Sequence, residues 1–159
     1  MIEYSLDTLD ELDLDILKIL QEDGRISNAD LARQINLSPP AVHARVRRLE
    51  KQGYIRQYTA LLAPEKVGYD MLCIVHMSLT RHEQTQVEAV RVAIEAMPEV
   101  LECYHLTGEF DYLMKVVIRN REDLARFVLQ RLTPLPGIGR IQTGIVLSAV
   151  KSTTVIPLR

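Results

Sequence analysis

No run of apolar residues in this chain approaches the roughly 18 needed to cross a bilayer as a helix, which excludes a helical membrane protein. Positive charge is missing from the first fifteen residues, where Glu3, Asp7, Asp10, Glu11, Asp13 and Asp15 sum to −6. A secretory leader begins basic, so none is expected, and the expected compartment is the cytoplasm. Cysteine is scarce: Cys73 and Cys103 are the only two, each flanked by apolar residues and outside any C-x-x-C or metal-ligand spacing. They read as structural thiols in a reducing environment. Nucleophile motifs and Gly-rich phosphate loops are also missing, and neither a metal nor a cofactor is expected. Low-complexity segments and repeats of about 20–50 residues do not occur.

What is present is an uneven distribution of charge. A chain of 159 residues, 47% hydrophobic and 25% charged, fits one ordinary globular domain or two small ones. Net charge is −2, yet residues 38–58 set Arg45, Arg47, Arg48, Lys51 and Arg56 against Glu50 alone, a local +4. Residues 61–159 balance, with 11 basic and 11 acidic side chains. A positive block on a slightly acidic chain points to a directed anion-binding face.

Three short helices are predicted between residues 13 and 52. The first starts with Asp13 as N-cap, turns Ile16, Leu17 and Leu20 inward and stops at Gly24. The second starts at Ser27, whose pairing with Asp30 three residues on is a variant capping box; Leu31 and Ile35 face inward, and Asn36-Leu37 makes the turn. The third has Ser38 as N-cap and Pro39 at the first helical position, where a missing N–H costs nothing. It runs to about Gln52, with Gly53 beyond its end.

The period then changes. Residues 54–62 read as extended and residues 64–70 as a Pro/Gly-punctuated connection. Strands are predicted at 71–79, 100–107, 111–118 and 138–150, and helices at 84–97 and 121–132. The order β-α-β-β-α-β is the split βαβ pattern of ferredoxin-like folds. The fold class is therefore α+β: a helix-turn-helix (winged) domain over 1–60, a linker over 61–70 and an αβ-sandwich over 71–159.

Rotation by about 100° per residue puts Val42, Val46 and Leu49 on one stripe of the third helix. Pro40, His43, Ala44, Arg47, Arg48 and Lys51 fall opposite. A short helix, a tight turn and a second helix with a basic outer face is the helix-turn-helix arrangement, in which the second helix enters the major groove of double-stranded DNA. Small residues at its start allow close approach, and Arg47 and His43 can reach base edges. Ser38, Arg48, Lys51 and Arg56 suit phosphates. Arg45, at the stripe's edge, either reaches a phosphate or pairs with a carboxylate of the acidic N-terminal arm.

The stretches LDELDLDILKILQEDGRISNADLARQINLSPPAVHARVRRLEKQGYI, YTALLAP, LTGEFDYLMKV and TGIVLSAVKST together resemble the leucine-responsive regulatory protein/AsnC family of transcription regulators, nearly end to end. The resemblance implies a sequence-specific DNA-binding transcriptional regulator, not an enzyme. It further implies dimers that pack by their sheets, larger assemblies of dimers, and a small effector, often an amino acid, bound between dimers. By motif, the effector site takes in Tyr104, Thr107, Gly108, Glu109, Asp111 and Tyr112, with Arg121, Gln142, Thr143, Ile145 and Val146 nearby. Gly108 suits a positive-φ turn with exposed N–H groups, and Asp111 an α-ammonium group. From the residues alone, Glu109 and Asp111 also read as a solvated turn, and Tyr104 and Tyr112 as sheet packing. Glu109, where aspartate is common, and Gly144, where a bulkier residue is common, depart from the family pattern.

Three other readings remain. An enzyme would draw on His76, His82, His105, Glu109 and Asp111, with His105 and Asp111 as an acid–base pair. A metabolite-sensing module would use its basic helix on a protein partner. An architectural DNA-organising protein would need no effector.

Overall fold

The computed structural model describes residues 9–159; Glu3 and Asp7 of the acidic arm lie outside them. The described chain forms two compact units, one holding the residues up to Leu61 together with Lys151–Arg159, the other Leu62–Val150. The chain thus leaves the first unit, builds the second and returns. The last nine residues pack with the helical unit rather than with the sandwich that the pattern assigns them to.

The first unit is a three-helix cluster: α1 (Glu11–Glu22), α2 (Asn28–Gln34) and α3 (Pro39–Lys51). Its core joins Ile16 of α1 and Leu31 and Ala32 of α2 to Val42, Val46 and Leu49 of α3. Fully burying each large aliphatic side chain contributes about 1.5–3 kcal/mol, so the stripe of α3 fixes which face of that helix points outward. The turn between α2 and α3 puts Asn36 at φ 54, and Gly53 follows α3 at φ 80. Ser27 and Ser38 cap as expected. The return bond at Ser27 differs, because Asp30 accepts from the Ser27 hydroxyl at 2.6 Å and not from its backbone N–H. The cap of α1 is Asp10, not Asp13. The Asp10 side chain accepts the Asp13 N–H at 2.8 Å, and Asp13 in turn accepts the Asp10 N–H at 3.2 Å. Residues 56–63 carry no ladder of any strand.

In the second unit, a 3-10 turn at Pro64–Val67 leads to β1 (Met71–Leu79), α4 (Gln84–Glu95), β2 (Val100–His105), β3 (Tyr112–Ile118), α5 (Arg121–Arg126) and β4 (Ile138–Ile145). The helix of α5 continues with π geometry over Phe127–Leu132. All strand pairs are antiparallel, in the order β2-β3-β1-β4. Side chains alternate across the sheet. Cys73, Val75 and Met77 of β1 and Tyr112, Met114 and Val116 of β3 join Val90, Ile94, Phe127 and Leu132 in one core beneath the helices. The opposite face shows His76 and Ser78 of β1 and Leu113 and Lys115 of β3, all half-buried. The last strand is shorter than its apolar sequence suggests. Val146 donates a final bond to the Leu72 carbonyl at 2.8 Å, one residue short of the start of β1 at Met71, and Leu147 and Val150 are fully exposed.

Candidate DNA interface and effector site

The outer face of α3 is assembled as the helical wheel requires. Pro40, His43, Ala44, Arg47, Arg48 and Lys51 are exposed, as are Ser38 at the cap and Arg56 beyond the helix. The Ser38 hydroxyl oxygen accepts the Ala41 N–H at 3.4 Å. Among the described residues, Arg47, Lys51 and Arg56 pair with no carboxylate, so three cations point to solvent uncompensated.

Arg45 and Arg48 are compensated. Arg45 Nη1 donates to Asp10 Oδ2 at 2.6 Å and to Asp13 Oδ1 at 2.8 Å, and Arg48 Nη2 bonds Asp13 Oδ2. Of the two fates open to Arg45, the carboxylate is the one seen. The Arg45 hydrogen bond, aided by the Asp13 N–H, holds the Asp10 carboxyl below the usual carboxylate range.

In the second unit, residues 106–111 turn the chain from β2 into β3. Leu106 N–H donates to the Asp111 carbonyl at 2.8 Å, and Gly108 sits at φ 141. Asp111 is pinned on both oxygens: Oδ2 accepts the Leu79 N–H at 2.7 Å, and Oδ1 lies 2.7 Å from His82 Nε2. Burial acts to raise its pKa, but the Leu79 N–H and His82 outweigh that and hold it low. It is His82, not His105, that reaches Asp111; His105 stacks on Tyr112 at 4.8 Å. Tyr112 belongs to the core. Tyr104 stands exposed and donates to Glu102 at 2.7 Å.

Arg140 is a member of this neighbourhood that no motif singled out. It pairs with Glu109 at 2.9 Å, reaches Gln142 at 3.3 Å and lies 5.3 Å over the Phe110 ring. Phe110 in turn meets His76 at 5.2 Å. The register could have found Arg140, because Ile138 opposite Leu79 places β4's start beside the turn that Asp111 closes. Thr107 is exposed.

Of the remaining expected effector residues, only Gln142 is linked to this turn, through Arg140. Gln142 sits opposite His76, at mid-sheet. Thr143 faces the other way, opposite Val75, and Ile145 opposite Cys73. Val146 follows at the far end. Arg121 begins α5 beyond the end of β3, a seven-residue strand, so about 23 Å of strand separates it from the turn. At Gly144 a Cβ would meet only the Ile74 carbonyl, at 3.8 Å, so the larger residue common there is not excluded by this chain's own packing. Cavities of about 790 Å³ along α4 and about 550 Å³ between β3 and α5 contain none of these residues. Among the described residues no group of three His, Cys, Asp or Glu could hold a metal ion, and no helix is long and apolar enough to cross a membrane.

A capped helix-turn-helix with a free basic face, joined to a four-stranded βαββαβ unit, defines a two-unit DNA-binding regulator. The comparisons agree. Residues 9–56 match the model for a winged helix-turn-helix DNA-binding domain, and residues 72–156 that for the Lrp/AsnC ligand binding domain. Curated relatives include the leucine-responsive regulatory protein of Haemophilus influenzae, 39% identical over 95% of this chain and 91% of its own. That of Escherichia coli is 38% identical over 91% and 88%. Among solved structures, a transcriptional regulator from Neisseria meningitidis in complex with L-Met superposes with a TM-score of 0.90 at 37% identity, covering 94% of this chain and 97% of that one. AsnC of E. coli gives 0.85 at 29% identity, covering 94% of this chain and 99% of that one. The chain belongs to the Lrp/AsnC family of DNA-binding transcriptional regulators.

Proposed function

We propose that this regulator grips duplex DNA through α3 and that an amino acid, bound between dimers by the second unit, modulates the grip. His43 and Arg47 read base edges, while Ser38, Lys51 and Arg56 meet phosphates. The observation that carries the reading is the uncompensated cationic face of α3, held outward by Val42, Val46 and Leu49 on its reverse. A dimer offers two such helices to half-sites about 34–36 Å apart, and larger assemblies bend DNA over several turns.

The effector reading rests on where the motif residues lie. Tyr104, Thr107, Gly108, Glu109 and Asp111 cluster at one end of the sheet, whereas Arg121, Ile145 and Val146 lie at the other. One chain cannot gather them around one small molecule, so a pocket built from both sets needs a second chain. Asp111 keeps lone pairs for an α-ammonium group, and the N–H groups around Gly108 suit a carboxylate. The effector regulates only through a difference in affinity between assembly states. We place the protein in the cytoplasm with DNA, copies of itself and an amino acid as its partners.

The test has two arms. An electrophoretic shift with the protein's own promoter should show sequence-specific binding that weakens steeply with salt. Thermal shift against the twenty amino acids, followed by size-exclusion chromatography with any hit, should give a stabilising amino acid that alters assembly size. Specific binding without any thermal response favours an architectural protein; no specific shift sinks the regulatory reading.

A further inference from the structure

Asp13 is the one buried charged side chain among the described residues, with no exposed surface. Both of its oxygens are used: Oδ1 on Arg45, Oδ2 on Arg48 and on the Asp10 N–H. The cap of α1 does not need it for its side-chain acceptor, because Asp10 already supplies that. Replacing a buried ion pair with apolar side chains is often neutral or stabilising, so stability alone is a weak reason for an aspartate here. The two arginines it holds stand one turn apart on the flank of α3. Each is bound through a single terminal nitrogen. A guanidinium carries five N–H donors in a rigid fork, so Nε and one Nη of each remain for another partner. Their side chains are 25% and 44% exposed.

We propose that Asp13 is a positioning residue for DNA binding, holding Arg45 and Arg48 by one corner each so that their free donors form a ready-made pair of phosphate clamps beside His43, Arg47 and Lys51. This rests on reading α3 as the helix that meets DNA. A long side chain loses conformational freedom when it grips a phosphate; for these two arginines that loss is already incurred on folding, while Arg47 still bears it. Asp10 has a different part. Half exposed and 2.6 Å from the same Arg45 Nη1, it competes with phosphate for that nitrogen.

The experiment titrates the full chain with its promoter duplex and with a scrambled duplex of equal length, across a salt series. The proteins are wild type, Asp10→Ser, Asp13→Asn, and Arg45→Ala/Arg48→Ala with and without Asp13→Asn. Simple charge repulsion predicts that losing either carboxylate tightens binding. Positioning predicts opposite signs. Asp10→Ser, which keeps a capping hydroxyl, tightens both duplexes. Asp13→Asn weakens both about five- to tenfold and lowers the log–log salt slope by about one to two. Without the two arginines, Asp13→Asn has no further effect. Circular dichroism sets the temperature at which every variant is folded. If Asp13→Asn folds at none, Arg45→Lys/Arg48→Lys replaces it, keeping the charges but losing the forks, and must show the same weakening. The proposal is overturned if Asp13→Asn tightens binding as Asp10→Ser does, if it still weakens binding with both arginines gone, or if the lysine pair binds like wild type.

Discussion

His82 Nε2 meets Asp111 Oδ1 at 2.7 Å, while the other oxygen of the same carboxylate takes the Leu79 N–H at 2.7 Å. One side chain therefore ties the end of β1 and the segment after it to the start of β3.

Acid should loosen that tie. The Asp111 pKa is lower folded than its ordinary value of 3.8, so its contribution is complete above that value and is lost as pH falls through the lower folded one. Wild type should lose stability below about pH 4 more steeply than Asp111→Asn, read as urea midpoints from neutral to acid pH. Parallel curves would show that the carboxylate's charge adds nothing.

Asp111→Ala strips the Leu79 N–H of its acceptor, at a cost of about 1–3 kcal/mol. Denaturant unfolding checks the cost. The thermal response to an amino acid should disappear while DNA binding persists; a retained response removes Asp111 from the effector site.

Arg47→Ala should weaken promoter binding by about 1–3 kcal/mol and scrambled duplex far less. The side chain is exposed, so melting temperature and assembly size should not move. Equal loss on both duplexes would make Arg47 a phosphate contact.

Gly53 and Gly137 both hold positive φ, +80 and +74, and alanine at either should cost about 1–2 kcal/mol. A Cβ at 137 would lie 2.6 Å from Gln86 Oε1, whereas at 53 it meets nothing within 4 Å. Gln86 Oε1 has no hydrogen bond to lose by moving, so the two variants should melt alike. A markedly lower melting point for Gly137→Ala would mean that the Gln86 side chain cannot swing away.

Gln21→Ala should free the C-terminal segment. The Gln21 amide accepts the Ile156 N–H at 2.6 Å and donates to the Ile156 carbonyl at 3.1 Å. Carboxypeptidase digestion should trim the variant faster than wild type, with α1 to α3 still folded by circular dichroism.

Local pattern carried the elements. Val42, Val46 and Leu49 identify their stripe because helical period and burial coincide, and β1 spans the residues its apolar run marks. A carboxylate of the acidic arm was legible as one of two partners open to Arg45, but the burial of Asp13 was not. Its partners lie 32 and 35 residues away, and a charged residue in a helical first turn reads more simply as a cap. The same distance problem hid Arg140, which joins the turn through sheet register. The effector residues were legible as a motif but not as one place, since Gly108 and Arg121 flank the seven residues of β3 and so lie at opposite ends of the sheet. The end of β4 was missed because Leu147 and Val150 are apolar, although the ladder stops beside the start of β1 and both side chains stand exposed.

The return of residues 151–159 to the helical unit has a practical meaning for anyone wishing to decouple the halves. The backbone crosses between them twice, after Leu61 and after Val150, so a flexible insert spliced into the first crossing leaves the second unchanged, its far side anchored to α1 at Ile156. A chain that is cut at one crossing alone therefore stays together through the other.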